Sequence, residues 1–372
     1  MSLTIDLHVL QSVPPSNLNR DDSGSPKSAQ YGGVRRARVS SQAWKRATRE
    51  HFSAVLSPEQ VGVRTLRAAE LLTARIRDLD PALDAAAAAK AAETALGAIG
   101  LKLEAKRKKK EAVEGEEPGL KTQYLVFFSN EQLSRLAELA VAGEKSAKAY
   151  KDVMRGNNGI DLALFGRMVA DDAELNVDAS VQVAHALSTH AVDNEFDFYT
   201  AVDDKAPKEE TGAGMMGTLE FNSSVLYRYA TVNVDLLDHQ LSEKADTVRA
   251  VTEFLNSFVL SMPTGKQNTF ANGTLPEAVV VCVRPDRGIS MVGAFERPVR
   301  AERDGGYVAG SAKALARYAT DVVTQYAAKP AKTWVLRVGE ATETLDVLGE
   351  RVTLPALGEA VAGYVAEHLG LA

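Results

Sequence analysis

One cysteine, Cys282, stands in 372 residues, so no intrachain disulfide can staple the fold. It lies in the apolar run from Ala278 to Val283, where a thiol is expected to serve as a small core hydrophobe and not as a nucleophile. No apolar stretch approaches the roughly 18 residues that cross a bilayer. The opening ten residues carry Asp6 and His8 and no basic leader, which does not read as a signal peptide. A cytoplasmic protein without membrane contact is the expectation. The chain also lacks a P-loop, a G-x-S-x-G elbow, an H-E-x-x-H pair, any cysteine pair and internal repeats, so the common marks of phosphate hydrolysis, acyl transfer and zinc chemistry are missing. What it has is enough apolar material for a sizeable core, at 45% of residues. Its length suits two domains, or one domain with large insertions.

Positive charge is scarce overall and concentrated locally. The net charge is −6, yet the segment from Arg20 to Arg49 holds eight Lys/Arg against Asp21 and Asp22. That island is therefore +6 and the rest of the chain −12, the footprint of a localised phosphate site and not of a generally basic coat.

Along the chain, Leu3, Ile5, Leu7 and Val9 alternate with Thr4, Asp6 and His8 with the period of two of a strand. A polar stretch from Gln11 to Gly33 reads as a long loop, which in a compact domain is functional or disordered. Ser40 and Ser41 open a helix whose face Trp44, Ala47 and Phe52 share, with Lys45, Arg46 and Arg49 gathered elsewhere. From about Pro58 to Met168 the pattern is mostly helical, interrupted by an exposed charge block from Lys106 to Glu117. Alternation returns at Val181, Val183 and His185, then at Phe196, Phe198 and Thr200. Beyond a polar tip from Asp203 to Gly217, Phe221, Val225, Tyr227 and Tyr229 share a strand face, completing a long hairpin. A helix at 243–262, strands at 278–284 and 289–294, a helix at 312–328 and a short final helix follow. The order indicates an α+β sheet layer with two insertions.

Several motifs fail on context. Gly212-Ala213-Gly214-Met215-Met216-Gly217 spells a dinucleotide fingerprint, but a strand follows where a helix is required. His185 and His190, with Asp193 and Glu195, have ligand chemistry, but a spacing of five sends the histidines to different faces. Asp21-Asp22 could hold Mg²⁺, although Arg20 and its basic neighbours would neutralise the pair. The basic constellation is stronger. Gly32-Gly33 would let backbone approach a ligand, and alternation places Arg36 and Arg38 on one face after Arg35. Ser40, Ser41 and Gln42 then offer donors at a helix N-terminus, which favours phosphate, and Lys45 and Arg49 extend that surface by a turn.

In this order the segments resemble the CasC family, the backbone subunit of type I-E CRISPR Cascade. The similarity lies in Leu18-Asn19-Arg20-Asp21-Asp22, in the run from Gly32 to Gln42, and in Asp161-Leu162-Ala163-Leu164-Phe165-Gly166-Arg167-Met168. It continues through Ala184-His185-Ala186, Thr189-His190, Thr200-Ala201-Val202-Asp203-Asp204, Tyr227-Arg228-Tyr229-Ala230 and Lys266-Gln267, spanning about residues 5–295. The resemblance implies an RRM-like (ferredoxin-like) palm at 1–58, 181–193 and 227–372. It also implies helical fingers at 59–180 and a hairpin thumb at 194–226. It implies a holding protein without enzymatic activity, cofactor or metal, stacked head to tail on a crRNA with other Cascade subunits, each copy kinking the guide that pairs with the target DNA strand. The implied RNA contacts are Arg20, Lys27, Arg35, Arg36, Arg38, Ser40, Gln42, Lys45, Arg46, Arg49, Lys266 and Gln267. The resemblance also makes Met168 the candidate apolar wedge beside a base. Related backbone subunits of type III complexes cut target RNA with an acidic residue, which makes a metal-dependent endonuclease using Asp21 or Asp22 the alternative. Met215 and Met216, at the hairpin tip, have no counterpart in the resemblance.

Overall fold

The computed structural model describes residues 2–105, 120–201 and 215–371. The charge block from Lys106 to Glu117 and most of the expected hairpin tip lie outside them. The elements run β1 (Thr4–Ser16), β2 (Ser28–Tyr31), β3 (Val34–Val39), α1 (Ser41–Val55), β4 (Gly62–Thr65), α2 (Ala68–Leu79) and α3 (Ala85–Ala98). Next come β5 (Leu103–Ala105), β6 (Leu120–Thr122), β7 (Val126–Ser129), α4 (Asn130–Val141), α5 (Ala147–Arg155) and α6 (Ile160–Phe165). Then follow β8 (Val181–Val183), β9 (Ala186–Ser188), β10 (Glu195–Ala201), β11 (Met215–Asn233), α7 (Val234–Gln240), α8 (Lys244–Leu260) and α9 (Gln267–Phe270). The last are β12 (Ala278–Arg284), α10 (Val308–Tyr326), β13 (Lys332–Arg337), β14 (Glu350–Arg351) and α11 (Leu354–His368). The fold is mixed α+β, and none of the described helices is long and apolar enough to cross a membrane.

The chain forms two compact units, one of residues 1–51, 182–233 and 252–364, the other of 52–181, 234–251 and 365–372. Residues 234–251 and 365–372 thus join the helical unit, which the expected segment 227–372 does not separate.

The first unit is built on a sheet ordered β14-β13-β12-β1-β11-β9-β3-β2, with β8 and β10 also on β11. Register sorts the side chains into two faces. Ile5, Leu7 and Val9 oppose Val283, Val281 and Val279 on one side. On the other face, His8 opposes Tyr229 and Val280, and Asp6 opposes Thr231 and Cys282. A strand face carrying Thr, Asp and His would ordinarily meet water. Instead α10 packs over it through Ala312, Leu315, Ala316 and Ala319, and Thr4, Asp6 and His8 are buried.

Burial forces these polar groups to pair internally. Asp6 accepts hydrogen bonds from the Tyr229 hydroxyl (2.9 Å), Arg284 Nε (2.8 Å) and the Ile289 amide (2.9 Å). The Tyr227 hydroxyl accepts from the Met291 amide (2.9 Å) and shares a hydrogen bond with His8 Nδ1 (2.9 Å). These side chains also explain why 289–294, expected as a strand, is not one: its amides go to Asp6 and Tyr227 instead of a ladder, and Val292–Phe295 forms a 3₁₀ turn. Cys282 is buried as expected, with its thiol pushed up to about 11 by burial. The expected loop from Gln11 to Gly33 is shorter than predicted, since β1 continues to Ser16 and β2 begins at Ser28.

In the second unit α2, α3, α4 and α5 enclose a core of Leu72, Ile76, Ala92, Leu96, Leu136 and Met154. Ser129 and Gln132 form a reciprocal cap at the start of α4, and Asp84 caps α3, each satisfying amides a helix start leaves unpaired. The two small sheets β4-β7 and β5-β6 interrupt a stretch that periodicity alone reads as helix.

Candidate nucleic-acid interface

The basic island of the first unit is assembled by backbone pairing around Asn19. The Lys27 amide donates to Asn19 O (2.8 Å), the Arg38 amide donates to Lys27 O (2.9 Å), and the Ser40 amide donates to Asn19 Oδ1 (2.9 Å). One asparagine therefore ties the 20–27 turn, β3 and the start of α1 together. Asn17, whose amide nitrogen donates to Gly24 O and Glu220 O (2.9 Å each), anchors the turn to the sheet. Arg20 and Arg35 are exposed, and Lys27 and Arg38 are half-buried.

Along α1, Gln42, Lys45, Arg46 and Arg49 recur at helical spacing on one face, with no acid in the first turn to offset the helix dipole. Burial lowers the Lys45 ammonium below its ordinary value. Arg46 pairs with Glu50 at 2.8 Å, an exposed i,i+4 contact that holds little energy and leaves the guanidinium reachable. On the opposite face Trp44, Ala47 and Phe52 are buried, as the sequence predicts, and Thr48 is buried with them. Arg228 explains the depth of Trp44: its buried guanidinium lies 3.7 Å from the Trp44 ring and 4.4 Å from the Phe258 ring. It also donates to Gln11 Oε1 (2.5 Å) and to Phe258 O. Burial brings its pKa down to about 9.

Three expected contacts take other roles. Arg36 is fully buried and donates to the carbonyls of Tyr31, Ser188, Phe295 and Glu296 (2.7–3.2 Å). It is an internal strut, with four of its five N–H donors given to backbone carbonyls and its side chain shut away from solvent. Ser40 is buried too, and its hydroxyl accepts the Ala43 amide as the cap of α1. Gly32-Gly33 serves the β2–β3 hairpin itself. Both have positive φ (61° and 77°), as a two-residue hairpin turn demands, and a Cβ on Gly32 would meet Glu296 O at 1.7 Å.

Lys266 and Gln267 come to this surface through Gly265, which packs directly on the carbonyls of Leu18 and Asn17, leaving no room for a side chain. Lys266 is held in the left-handed region (φ 55°) at the start of α9, and Ala271 ends it in the same region (φ 47°). Beside them a groove of about 310 Å³ is lined by Met262, Thr264, Gln267, Asn272 and Leu275, among others.

His185, weighed above only as a metal ligand, sits at the break between β8 and β9, exposed, with Nδ1 3.2 Å from Arg38 Nη1. Burial, then Arg38 and Lys27, lower its pKa. Its nearness to Lys27 depends on pairings across more than 140 residues, which no local pattern signals. His190 is structural: Nε2 accepts the Val225 amide (3.1 Å), Nδ1 faces Ala191 O (2.8 Å), and the ring stacks on Tyr307 at 3.6 Å.

Asp21 closes the 20–26 turn, its Oδ1 accepting from the Ser23 amide (2.9 Å), the Ser23 hydroxyl (2.7 Å) and the Ser25 amide (3.1 Å). The Ser23 hydroxyl chiefly holds this carboxyl below its ordinary range. Asp22 is exposed, and no group of three or more His, Cys, Asp or Glu among the described residues could hold a metal ion.

In the second unit, Met168 is 78% exposed. The residues before it hold it there. Asp161 accepts the Gly62 amide (2.8 Å). Gly166 takes φ 75° with a would-be Cβ 2.7 Å from Val177 O. Arg167 is buried and donates to Leu175 O, Phe127 O, Gln132 Oε1 and Met154 O (2.6–3.3 Å). An apolar side chain held outward at the end of a buried, hydrogen-bonded segment is a built feature. On the β10–β11 hairpin, Phe196, Phe198 and Met216 are exposed, and register puts them on one face. No fingerprint helix follows Gly212–Gly217, because β11 begins at Met215.

No curated protein sequence matches the chain significantly. Among the solved structures similar to it, two resemble it over nearly their whole lengths. One is a chain of a "CRISPR RNA-guided surveillance complex, pre-nicking", with TM-score 0.85 and 34% identity over 97% of this chain and 100% of that one. The other is a chain of a "CRISPR RNA-guided surveillance complex", with TM-score 0.74 and 29% identity over 97% and 99%. The resemblance to Cascade backbone subunits is thereby borne out, and the similarity continues past residue 295, where the motifs stop. A family profile described as CT1975-like protein matches residues 5–360, and the chain belongs to that family.

Proposed function

We propose that this protein is the crRNA-binding backbone subunit of a type I-E Cascade, a holding protein and not an enzyme. The observation that carries the reading is the cationic surface of Arg20, Lys27, Arg35, Arg38, Gln42, Lys45, Arg46, Arg49, Lys266 and Gln267 on a net-acidic chain. Lysine and arginine contacts to phosphate position a strand without reading it, as a holder of variable spacers requires, and sequence recognition is left to base pairing with the target DNA strand. In this reading the first unit supplies the RRM-like palm and the hairpin thumb, and the second supplies the fingers. Copies stack head to tail in the cytoplasm, other Cascade subunits cap the open-ended array, and exposed Met168 wedges beside a base to kink the guide. The turn-closing role of Asp21 speaks against the nuclease alternative.

The test is to purify the tagged chain from cells that express its sister subunits and a CRISPR array, then sequence the RNA it carries. A uniform RNA containing spacer sequence is expected. Heterogeneous RNA would indicate a general single-strand binder, and absence of RNA would refute the reading.

A further inference from the structure

We infer that His185 is a further phosphate ligand of the basic surface, a neutral hydrogen-bond donor beside the cations Arg38 and Lys27. The inference rests on the proposed guide-binding role of that surface and adds a residue of different chemistry to it.

The geometry fixes what the ring can offer. A guanidinium has donors only, so the nitrogen facing Arg38 Nη1 at 3.2 Å must be an acceptor. Nδ1 is therefore unprotonated, and the proton resides on Nε2. The ring is exposed, so its one available polar group is an N–H. Arg38 is held in turn, since its Nε donates to Ser28 O (3.1 Å). The backbone on either side of His185 is also pinned: the Ala184 amide donates to Tyr229 O (2.9 Å), and Ala186 pairs with Val39 of β3. The donor is thus presented from paired β-structure, without the entropy loss of ordering a long side chain.

The surroundings select the acceptor. Lys27 and Arg38 are the charged groups that act on the ring, and both attract a phosphate oxygen. With Nδ1 occupied, the ring cannot accept from a base amino group. The same two cations oppose protonation, and partial burial acts in the same direction, so His185 is neutral at pH 7.5. A neutral donor strengthens binding through a hydrogen bond but displaces no counterion, whereas each lysine or arginine contact contributes to the salt dependence.

The experiment titrates the full chain with a fluorescein-labelled single-stranded RNA at pH 7.5 over a series of salt concentrations. It compares the wild type with His185→Ala, His185→Gln and Lys27→Ala. His185→Ala is expected to weaken binding about three- to ten-fold at every salt concentration, with an unchanged slope of log K against log salt. His185→Gln, which keeps an N–H donor, restores most of the loss. Lys27→Ala lowers the slope by about 0.7. His185→Ala binding as the wild type does, or lowering the slope as Lys27→Ala does, or a Gln variant as weak as the Ala variant, would each overturn the inference. A wild-type chain that binds no RNA would instead sink the guide-binding reading on which it rests.

Discussion

At the scale of the residue, His8 shows how far local environment departs from local sequence. It shares a hydrogen bond with Tyr227, stacks on Tyr229 at 5.2 Å between ring centres, and is enclosed beneath α10. Burial brings its pKa down to about 4 from 6.5. The unfolded chain therefore takes a proton on His8 near pH 6.5, and the folded chain resists it until about pH 4. Stability present above the upper value is lost as pH falls through this window, by on the order of 3 kcal/mol. Denaturant unfolding at pH 7.5, 5.5 and 4.5 is expected to show that loss, and His8→Gln to show less of it. An equal loss in both proteins would refute the assignment. The sequence displays Asp6 and His8 as an outward polar row because alternation records polarity, while the roof over them comes from a helix 300 residues away. Arg36 was misplaced for the same reason: an arginine beside two others looks like surface until β9 and the Phe295 region close around it.

At the scale of the element, the 161–168 segment separates support from contact. Gly166→Ala puts a side chain into the left-handed region against Val177 O, and is expected to destabilise by about 2 kcal/mol or more. Arg167→Met strips the buried acceptors of Leu175, Phe127, Gln132 and Met154 of their donor, and is expected to cost about 3 kcal/mol or more. Met168→Ala removes an exposed group and should shift stability by less than about 0.5 kcal/mol while reducing target pairing by the loaded guide. Thermal melts of the three variants, with target-DNA binding for the last, check this order. A Met168→Ala protein as destabilised as Gly166→Ala would place Met168 in the core after all. Among the helices, α8 was legible to within two residues at each end and α10 to within four, the start of α1 was marked by its serines, and β12 was legible to the residue. The expected strand at 289–294 was not, because side chains from β1 and β11 capture its amides and no local pattern records that competition.

At the scale of the whole molecule, charge is segregated: a +6 island in a −6 chain. Lys45→Glu with Arg49→Glu is expected to abolish guide loading while leaving the melting temperature within a few degrees. Unchanged RNA recovery in the pull-down would count against the phosphate surface. The island was legible because charge clusters survive in one dimension. The division of labour within it was not, since burial decides which arginines still have donors to offer. The order of the central sheet has a consequence for how the chain is made. Strand β1 lies between β11 and β12, so its partners, Thr4 to Asn233 and Thr4 to Arg284 among them, leave the ribosome more than two hundred residues later. At about 5–20 residues per second this long, largely buried strand waits on the order of ten seconds or more with both edges open. Much of the chain between them belongs to the second unit, whose mainly helical contacts are more local and faster to form. The polypeptide is thus set to build its middle before its beginning, and in that interval β1 is the segment most exposed to capture by a neighbouring nascent chain.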